Sequence, residues 1–136
     1  MQVNELMTRA PHGMQAGESV QHAAQLMAKH NVGAVLVYEG KALVGIVTDR
    51  DLAVRSTSNG ATPDSEPVRA VMTAHPVTIT PTASVDDALK LMVEHGIGRL
   101  CVMDGDAVEG IITFGDLSPL TQMVADGLAR KQPVRS

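Results

Sequence analysis

Aromatic side chains are almost absent from this chain of 136 residues, which contains one Tyr (Tyr38), one Phe (Phe114) and no Trp. Proteins that bind single-stranded nucleic acid usually stack bases on aromatic rings, so this class is disfavoured. The formal net charge of −4 provides no general attraction for nucleic acid or anionic lipid either. We therefore expect neither nucleic acid nor a membrane as a partner, and a core built from aliphatic residues and methionine.

Cysteine is equally scarce, since Cys101 is the single one. This count excludes a disulfide framework and a cysteine-based zinc site. No apolar run in the sequence approaches the length of a membrane-spanning helix, and the N-terminal residues lack the pattern of a signal peptide. These absences predict a cytoplasmic protein.

The most informative feature that is present is an internal repeat. A shift of about 65 residues places Val3–Leu52 on Val68–Leu117 without a gap. The similarity is strongest in Met-Thr, in Ser-Val and in Gly-Ile-x-Thr-x-x-Asp-Leu, each of which occurs once in each copy. One copy of such a repeat cannot usually bury its apolar face alone, so we predict that the two pack together with pseudo-two-fold symmetry.

Both copies predict the same series of elements. Ser19 and Ser84 are suitable N-caps for amphipathic helices that end near His30 and His95. Two apolar runs follow in each copy and flank a glycine, which is typical of a β-hairpin. These runs cover 33–38, 43–47, 100–103 and 108–112. We also expect strands near 14–16 and 77–80, and second helices over 48–55 and from 113 through 120–128.

These elements predict an α/β fold of two tandem β-α-β-β-α repeats. We expect the first repeat at 1–56, a polar linker at 57–67, the second repeat at 68–122 and a helical extension and tail at 123–136. The apolar segments 52–54 and 120–128 have no further core to cover them. They therefore indicate an isologous homodimer.

The sharpest local signal is Thr48 followed by Asp51, repeated as Thr113 and Asp116. A threonine followed three residues later by an acid is similar to a capping box, in which both side chains bond backbone N–H groups. The same arrangement suits a ligand, because N–H groups at a helix N-terminus bind phosphate and a carboxylate accepts hydrogen bonds from a ribose diol. Arg50 could neutralise the phosphate. Both interpretations stay open, since a ligand can replace the cap.

The other reactive side chains show no recognisable constellation. His30 and His95 lie at the expected ends of equivalent helices, where a partial positive charge is favourable, and no metal-ligand spacing surrounds them. Cys101 lies within a strand-like run without an adjacent base. The sequence therefore predicts no metal site and no enzyme.

The paired motifs resemble a known family. Two copies of Met-Thr, Ser-Val-x-x-Ala and Gly-x-x-Thr-x-x-Asp-Leu, in the same order, resemble a tandem pair of CBS domains, which are named after cystathionine β-synthase. Such a pair is called a Bateman module, and the resemblance covers about residues 1–122. It implies two clefts between the repeats that bind AMP, ADP, ATP, S-adenosylmethionine or NAD(H) as regulatory ligands, with no other cofactor required.

The resemblance also implies roles for individual residues. Thr48, Arg50 and Asp51 would hold phosphate and ribose in one cleft, and Thr113 and Asp116 would do so in the other. The residues that would enclose adenine or lie beside it are Met14, Gln15, Ala16, Ala34, Val35, Leu36, Thr78, Ile79, Arg99, Leu100 and Cys101.

The two copies differ where a phosphate would lie. Phe114 and Gly115 occupy the positions of Asp49 and Arg50, so the second cleft needs another cation. Arg99 is the candidate, although a solvated charge beside the sheet is an equally ordinary role for an arginine. We therefore expect two clefts of unequal affinity.

Two functional hypotheses follow. The first is a regulatory sensor that binds an adenosine-containing ligand and signals to an unknown downstream protein by a change of shape or partner affinity. The second is a nucleotide-free dimerisation module that docks on an enzyme or a transporter.

Overall fold

The structure, a computed structural model, describes residues 1–9, 11–56, 60 and 62–117. The chain divides into two compact units. The central unit is Pro11–Pro76, and the terminal unit combines Met1–Ala10 with Val77–Ser136. Each unit contains one four-stranded sheet.

The elements of the described residues follow the predicted α/β order. The strands are β1 (Thr8–Arg9), β2 (Gly13–Gln15), β3 (Ala34–Glu39), β4 (Ala42–Thr48), β5 (Thr73–Ala74), β6 (Thr78–Ile79), β7 (Arg99–Asp104) and β8 (Ala107–Thr113). The α-helices are α1 (Val20–His30), the single turn α2 (Asp49–Asp51), which continues as a π-helical segment (Leu52–Ser56), and α3 (Val85–His95). Short 3-10 turns cover Val3–Glu5, Val68–Ala70 and Gly115–Leu117. None of the helices in these ranges has the length and apolar composition that crossing a membrane requires.

The two long helices begin and end where the sequence predicts. The Ser19 hydroxyl accepts a hydrogen bond from the backbone N–H of His22 at 3.1 Å and thereby caps α1. Ser84 caps α3 in the same way through the N–H of Asp87, also at 3.1 Å. Asn31 ends α1 in the left-handed conformation, as predicted for residues that tolerate a positive φ.

In the central unit the strand order is β2-β3-β4-β5. β2 is parallel to β3, and the other neighbours are antiparallel. One face of this sheet packs on α1, because alternate residues along each strand are aliphatic and face the helix. The buried residues of this cluster are Met14, Ala16, Val20, Ala23, Met27, Val35, Val37, Val47, Val68 and Val71.

The terminal unit repeats this design with strand order β1-β8-β7-β6. β6 is parallel to β7, and the other neighbours are antiparallel. Its sheet packs on α3 through a second aliphatic cluster. The buried residues of that cluster are Val3, Met7, Ile79, Ala88, Met92, Leu100, Val102, Ile112 and Leu117.

In each sheet, one edge strand comes from the other copy of the sequence repeat. We call the parts of the chain that contain these two strands the exchanged segments. β1 comes from the first copy, yet it pairs with β8 of the second copy. β5 comes from the second copy, yet it pairs with β4 of the first. The predicted boundaries at 1–56 and 68–122 describe the duplicated sequence and stay a prediction, whereas each folded unit needs residues from both copies.

The predicted second helices are only partly within the described residues. The segment after Thr48 forms α2 and the π-helical segment, close to the expected 48–55. The segment after Thr113 forms a 3-10 turn over Gly115–Leu117 rather than an α-helix. The expected helix at 120–128 and the extension and tail at 123–136 lie outside the described residues.

Each exchanged segment lies against a glycine of the strand that it pairs with. A Cβ added to Gly45 would lie 2.9 Å from the carbonyl oxygen of Thr73 and would also overlap the Met72 sulfur. A Cβ on Gly110 would meet the carbonyl oxygen of Thr8 and the Met7 sulfur. Only glycine therefore permits these two strand pairs.

We predict that Gly45→Ala lowers the free energy of unfolding by about 1–3 kcal/mol, because the added methyl group overpacks the contact with β5. Urea denaturation measures this change. Gly17→Ala is the control, since its Cβ would lie 3.8 Å from Arg69, an ordinary contact. The control should be neutral or stabilising by about 0.4–1 kcal/mol. Equal stability of the two variants would contradict the close approach.

Candidate functional site

The junction between β4 and α2 contains the predicted pair Thr48 and Asp51. The backbone N–H of Thr48 donates to Oδ2 of Asp51 at 2.9 Å, and the N–H of Asp51 donates to Oγ1 of Thr48 at 3.2 Å. The Thr48 hydroxyl also donates to the same Oδ2 at 3.1 Å. The predicted capping box is therefore confirmed, and it leaves the second carboxylate oxygen, Oδ1, outside these bonds.

The junction after β8 has the same design. The N–H of Thr113 donates to Oδ2 of Asp116 at 2.8 Å, and the N–H of Asp116 donates to Oγ1 of Thr113 at 3.1 Å. All four side chains of the two junctions are half-buried. Each unit therefore holds one carboxylate in a defined orientation at the end of a central strand.

Strand pairing places Ala34 beside the central junction. Ala34 is the cross-strand partner of Thr48, and Leu36 is the partner of Ile46. The N–H of Asp49 donates to the carbonyl oxygen of Gly33, the residue before Ala34, at 3.0 Å. Cross-strand partners share a face, so Ala34, Leu36 and Thr48 lie on the sheet face opposite α1.

The terminal junction has an arginine in the equivalent place. Arg99 is the cross-strand partner of Thr113, and Cys101 is the partner of Ile111. Thr78 of β6 pairs with Cys101 on the other side of β7. Arg99, Thr78, Cys101 and Thr113 therefore share the sheet face opposite α3, which supports the predicted proximity of Arg99 to the terminal junction.

Five of the residues predicted to enclose adenine belong instead to the aliphatic clusters beneath the helices. Met14, Ala16 and Val35 are members of the α1 cluster. Ile79 and Leu100 are members of the α3 cluster. Their side chains lie in helix-facing cores, because neighbouring residues of a strand point to opposite faces. A role for them in enclosing a ligand stays a prediction.

Arg50 and Gln15 occupy different surroundings. Arg50 is exposed, and its backbone N–H donates to Oδ1 of Asp49 at 2.8 Å. The Gln15 side chain is bonded at the opposite end of the β3–β4 hairpin, where its amide oxygen accepts from Gly40 N at 2.9 Å and its amide nitrogen donates to Gly40 O at 3.0 Å. Strand pairing therefore does not bring Gln15 to the central junction.

Gln15 lies in a groove that the sequence did not reveal. The groove has a volume of about 480 Å³ and lies at the hairpin end of the central sheet. The Tyr38 ring covers Gly13 so closely that a Cβ there would lie 2.7 Å from Cε2 of the ring. The lining residues are Gly13, Met14, Gln15, Glu18, Tyr38, Gly40 and Lys41.

Arg55 is a residue near the central junction that sequence reasoning missed. Its Nε lies 3.7 Å from Oδ1 of Asp51, and its Nη1 donates to the carbonyl oxygens of Val71 and Met72 at 3.3 and 3.1 Å. The spacing of four residues between Asp51 and Arg55 was the available signal, since such pairs face each other on a helix. The contact with Val71 and Met72 could not be read from spacing.

Two histidines form a ring contact that the sequence did not predict. The rings of His12 and His30 stack with centroids 3.7 Å apart. The pKa of His30 is lowered from 6.5, firstly by desolvation and then by the positive charges of His12 and Lys29. This shift opposes the charged state expected at the helix end. Among the described residues, no group of three or more His, Cys, Asp or Glu is placed to hold a metal ion.

Three comparisons with known proteins found similar sequences and structures. The family model of the CBS domain matches residues 3–56 and 68–119. The CBS domain-containing protein YhcV of Bacillus subtilis (strain 168) is 40% identical over 116 residues, which cover 85% of this chain and 82% of that protein.

Solved structures show the same fold. A protein with CBS domains from Burkholderia ambifaria MC40-6 has a TM-score of 0.80 and 30% identity, with 100% of both chains covered. The CBS domain pair of protein MJ0100, in complex with 5′-methylthioadenosine and S-adenosyl-L-methionine, has a TM-score of 0.78 and 26% identity. That likeness covers 89% of this chain and 99% of the other.

The capping bonds lead to a prediction about stability. Thr48→Ala removes the acceptor for the Asp51 N–H and should lower the free energy of unfolding by about 0.5–2 kcal/mol. Thr48→Ser keeps the hydroxyl and serves as the control. Guanidinium denaturation at equilibrium measures both variants, and an alanine variant as stable as the serine variant would contradict the role of the hydroxyl.

A second prediction concerns Cys101, which is 1% exposed and whose pKa is raised by burial from 9.0 to about 11. The thiol should react with a disulfide reagent far more slowly in the folded protein than in urea at about pH 8. Because the folded pKa is raised, the protonated thiol stabilises the fold fully below pH 9.0 and this contribution is lost as the pH rises towards about 11. Rapid labelling of the folded protein would contradict this burial.

Proposed function

Because this chain belongs to the CBS domain family, we propose that it is a regulatory protein whose Thr-x-x-Asp junctions bind adenosine-containing ligands. The observation that carries the proposal is the orientation of the two carboxylates. In both junctions the backbone hydrogen bonds use Oδ2, of Asp51 and of Asp116. The other oxygen, Oδ1, is the acceptor that a ribose diol would meet.

The chemistry around each carboxylate supports a nucleoside rather than a free phosphate. A carboxylate repels phosphate but accepts two hydroxyl donors, so it favours the ribose portion of a ligand. The CBS domain pair of MJ0100, at 26% identity, was solved with 5′-methylthioadenosine and S-adenosyl-L-methionine. Both of these ligands contain an adenosine moiety, and we propose the same class for this chain.

We propose that the two junctions differ in their preference for phosphate. At the terminal junction Arg99 is the cross-strand partner of Thr113, whereas Ala34 occupies the equivalent place at the central junction. An arginine can form charge-assisted hydrogen bonds with phosphate oxygens. The terminal junction should therefore favour AMP, ADP or ATP more strongly. At the central junction Arg50 is exposed, and the guanidinium of Arg55 is engaged with Asp51 and with the carbonyl oxygens of Val71 and Met72.

Ligand binding regulates a protein only if the ligand binds one conformation more tightly than another. We propose that such a difference acts on a downstream protein or on a second copy of this chain in the cytoplasm. Val54, which is 56% exposed beside the half-buried Leu52, is a candidate contact in a homodimer. The alternative, a module that dimerises and docks on an enzyme or transporter without a nucleotide, is separated from a sensor by the binding experiment.

The test is calorimetric titration with AMP, ADP, ATP, S-adenosylmethionine and NADH. We predict that the unaltered protein binds at least one of these ligands. Asp51→Ala should weaken binding at the central junction at least tenfold, and Asp116→Ala should do the same at the terminal junction. A tenfold loss corresponds to about 1.4 kcal/mol of binding free energy. Asp64→Ala, which removes an exposed acid of the central unit, is the control and should bind normally.

The result also distinguishes the alternatives. If none of these ligands binds at millimolar concentration, the sensor is excluded and the nucleotide-free module is favoured. If a ligand binds with equal affinity to the double variant Asp51→Ala with Asp116→Ala, it occupies a different site. A thermal-shift measurement on each variant separates lost affinity from lost stability, because a ligand that binds the native state raises the apparent melting temperature.

A further inference from the structure

Arg55 joins the central carboxylate to a distant part of the backbone. Its side chain is 51% exposed, while that of Asp51 is 12% exposed. Nε approaches Oδ1 of Asp51 at 3.7 Å, and Nη1 of the same guanidinium donates to the carbonyl oxygens of Val71 and Met72. Oδ1 is also the oxygen that the proposed ribose contact would use. One rigid, planar cation therefore links the ligand-facing atom to two peptide groups.

A second contact fastens the same helical segment to the same stretch of chain. The hydroxyl of Ser56, adjacent to Arg55, donates to Oε1 of Glu66 at 2.7 Å. Ser56 and Glu66 are each only 6% exposed, so this bond is shielded from water. The π-helical segment is thus tied to the chain at Glu66 and again at Val71 and Met72, and its position cannot change without affecting that stretch.

The stretch itself is closely packed and leads out of the unit. The N–H groups of Val71 and Met72 both donate to the carbonyl oxygen of Val68 at 3.0 Å. The next residue, Thr73, begins β5, which pairs with β4 across Gly45. The central unit ends at Pro76, directly after this strand. A change in the residues 68–74 therefore occurs close to Pro76, where the chain leaves the central unit.

We propose that Arg55 is a positioning residue that orients Asp51 for the ligand and transmits ligand occupancy to the exchanged segment 68–74. The inference rests on the proposed function, since it needs a ligand at Asp51. A ligand that fixes Oδ1 also fixes the guanidinium, and the guanidinium then holds the carbonyl groups of Val71 and Met72 more firmly. Ordering of one site by occupancy of another is sufficient for coupling between them.

The second copy of the repeat does not carry an arginine at the position that matches Arg55. The position equivalent to Arg55 in the second copy is Leu120, whose side chain has no hydrogen-bond donor. A leucine cannot join Asp116 to backbone carbonyl groups. The two junctions would therefore bind related ligands, while the transmission through Arg55 has no counterpart at position 120.

The first arm of the test needs no ligand. Asp51→Asn keeps the shape of the side chain but removes its charge, so it should weaken the hold on Arg55. Hydrogen exchange followed by mass spectrometry should then show faster exchange in peptides that contain Ala70, Val71 and Met72. Asp116→Asn is the matched control and should leave these peptides unchanged. Unchanged exchange in Asp51→Asn would overturn the proposal whatever the protein binds.

The second arm uses S-adenosylmethionine and AMP as probes. In the unaltered protein the bound probe should slow exchange at residues 70–72. Arg55→Gln should lose this protection and bind about tenfold more weakly at the central junction, within the usual range of coupling between sites. Arg55→Lys should recover part of the affinity, because it keeps the positive charge, but less of the protection, because it lacks the planar fork. Lys29→Gln, which removes an exposed cation of the same unit, should behave as the unaltered protein.

The outcomes separate the two proposals. If the unaltered protein binds neither probe nor the other nucleotides, the proposed function fails, while the ligand-free arm still decides whether Asp51 and Arg55 act on the segment. If it binds and Arg55→Gln melts at a lower temperature with unchanged affinity and unchanged protection, Arg55 is only structural and the positioning role is overturned.

Discussion

The structure depends on the close approach of a short backbone segment to a glycine in a central strand. Met72 and Thr73 pack directly against Gly45, and Met7 and Thr8 pack directly against Gly110. A side chain at either glycine would overlap the segment and weaken the pairing of that edge strand. Because each segment comes from the other copy of the repeat, these two contacts also determine that neither copy can complete its sheet alone.

The same dependence places the candidate site. The strands that carry the two glycines, β4 and β8, end at Thr48 and Thr113, where the capping bonds to Asp51 and Asp116 begin. These bonds serve the fold, since they satisfy backbone donors at the start of each helical turn. They also hold one carboxylate oxygen in a fixed place and leave the other outside the cap. Capping is therefore compatible with the proposed binding of a ligand by the same carboxylate.

Local features of the structure were predictable from the sequence and non-local ones were not. The Ser19 cap and the hairpins depend on residues a few positions apart, so short-range patterns indicate them well. The exchange of β1 and β5 depends on pairing between distant residues, and no pattern within either copy indicates it. The sheet face on which a residue lies is likewise not indicated by its residue type. Val35 and Leu36 look alike in sequence, yet the alternation of the strand places Val35 in the helix-facing cluster and Leu36 on the face of Thr48.

By itself the sequence determined the duplication, the helices and hairpins, the family and the Thr-x-x-Asp pairs, because each of these is written in residue identity and spacing along the chain. Only the tertiary structure decided which segments complete each sheet and which predicted residues share a sheet face with Thr48 and Thr113. It also revealed that Arg55 reaches the carbonyl groups of Val71 and Met72. Those features arise from contacts between residues far apart in the chain, where geometry rather than local preference selects the partner.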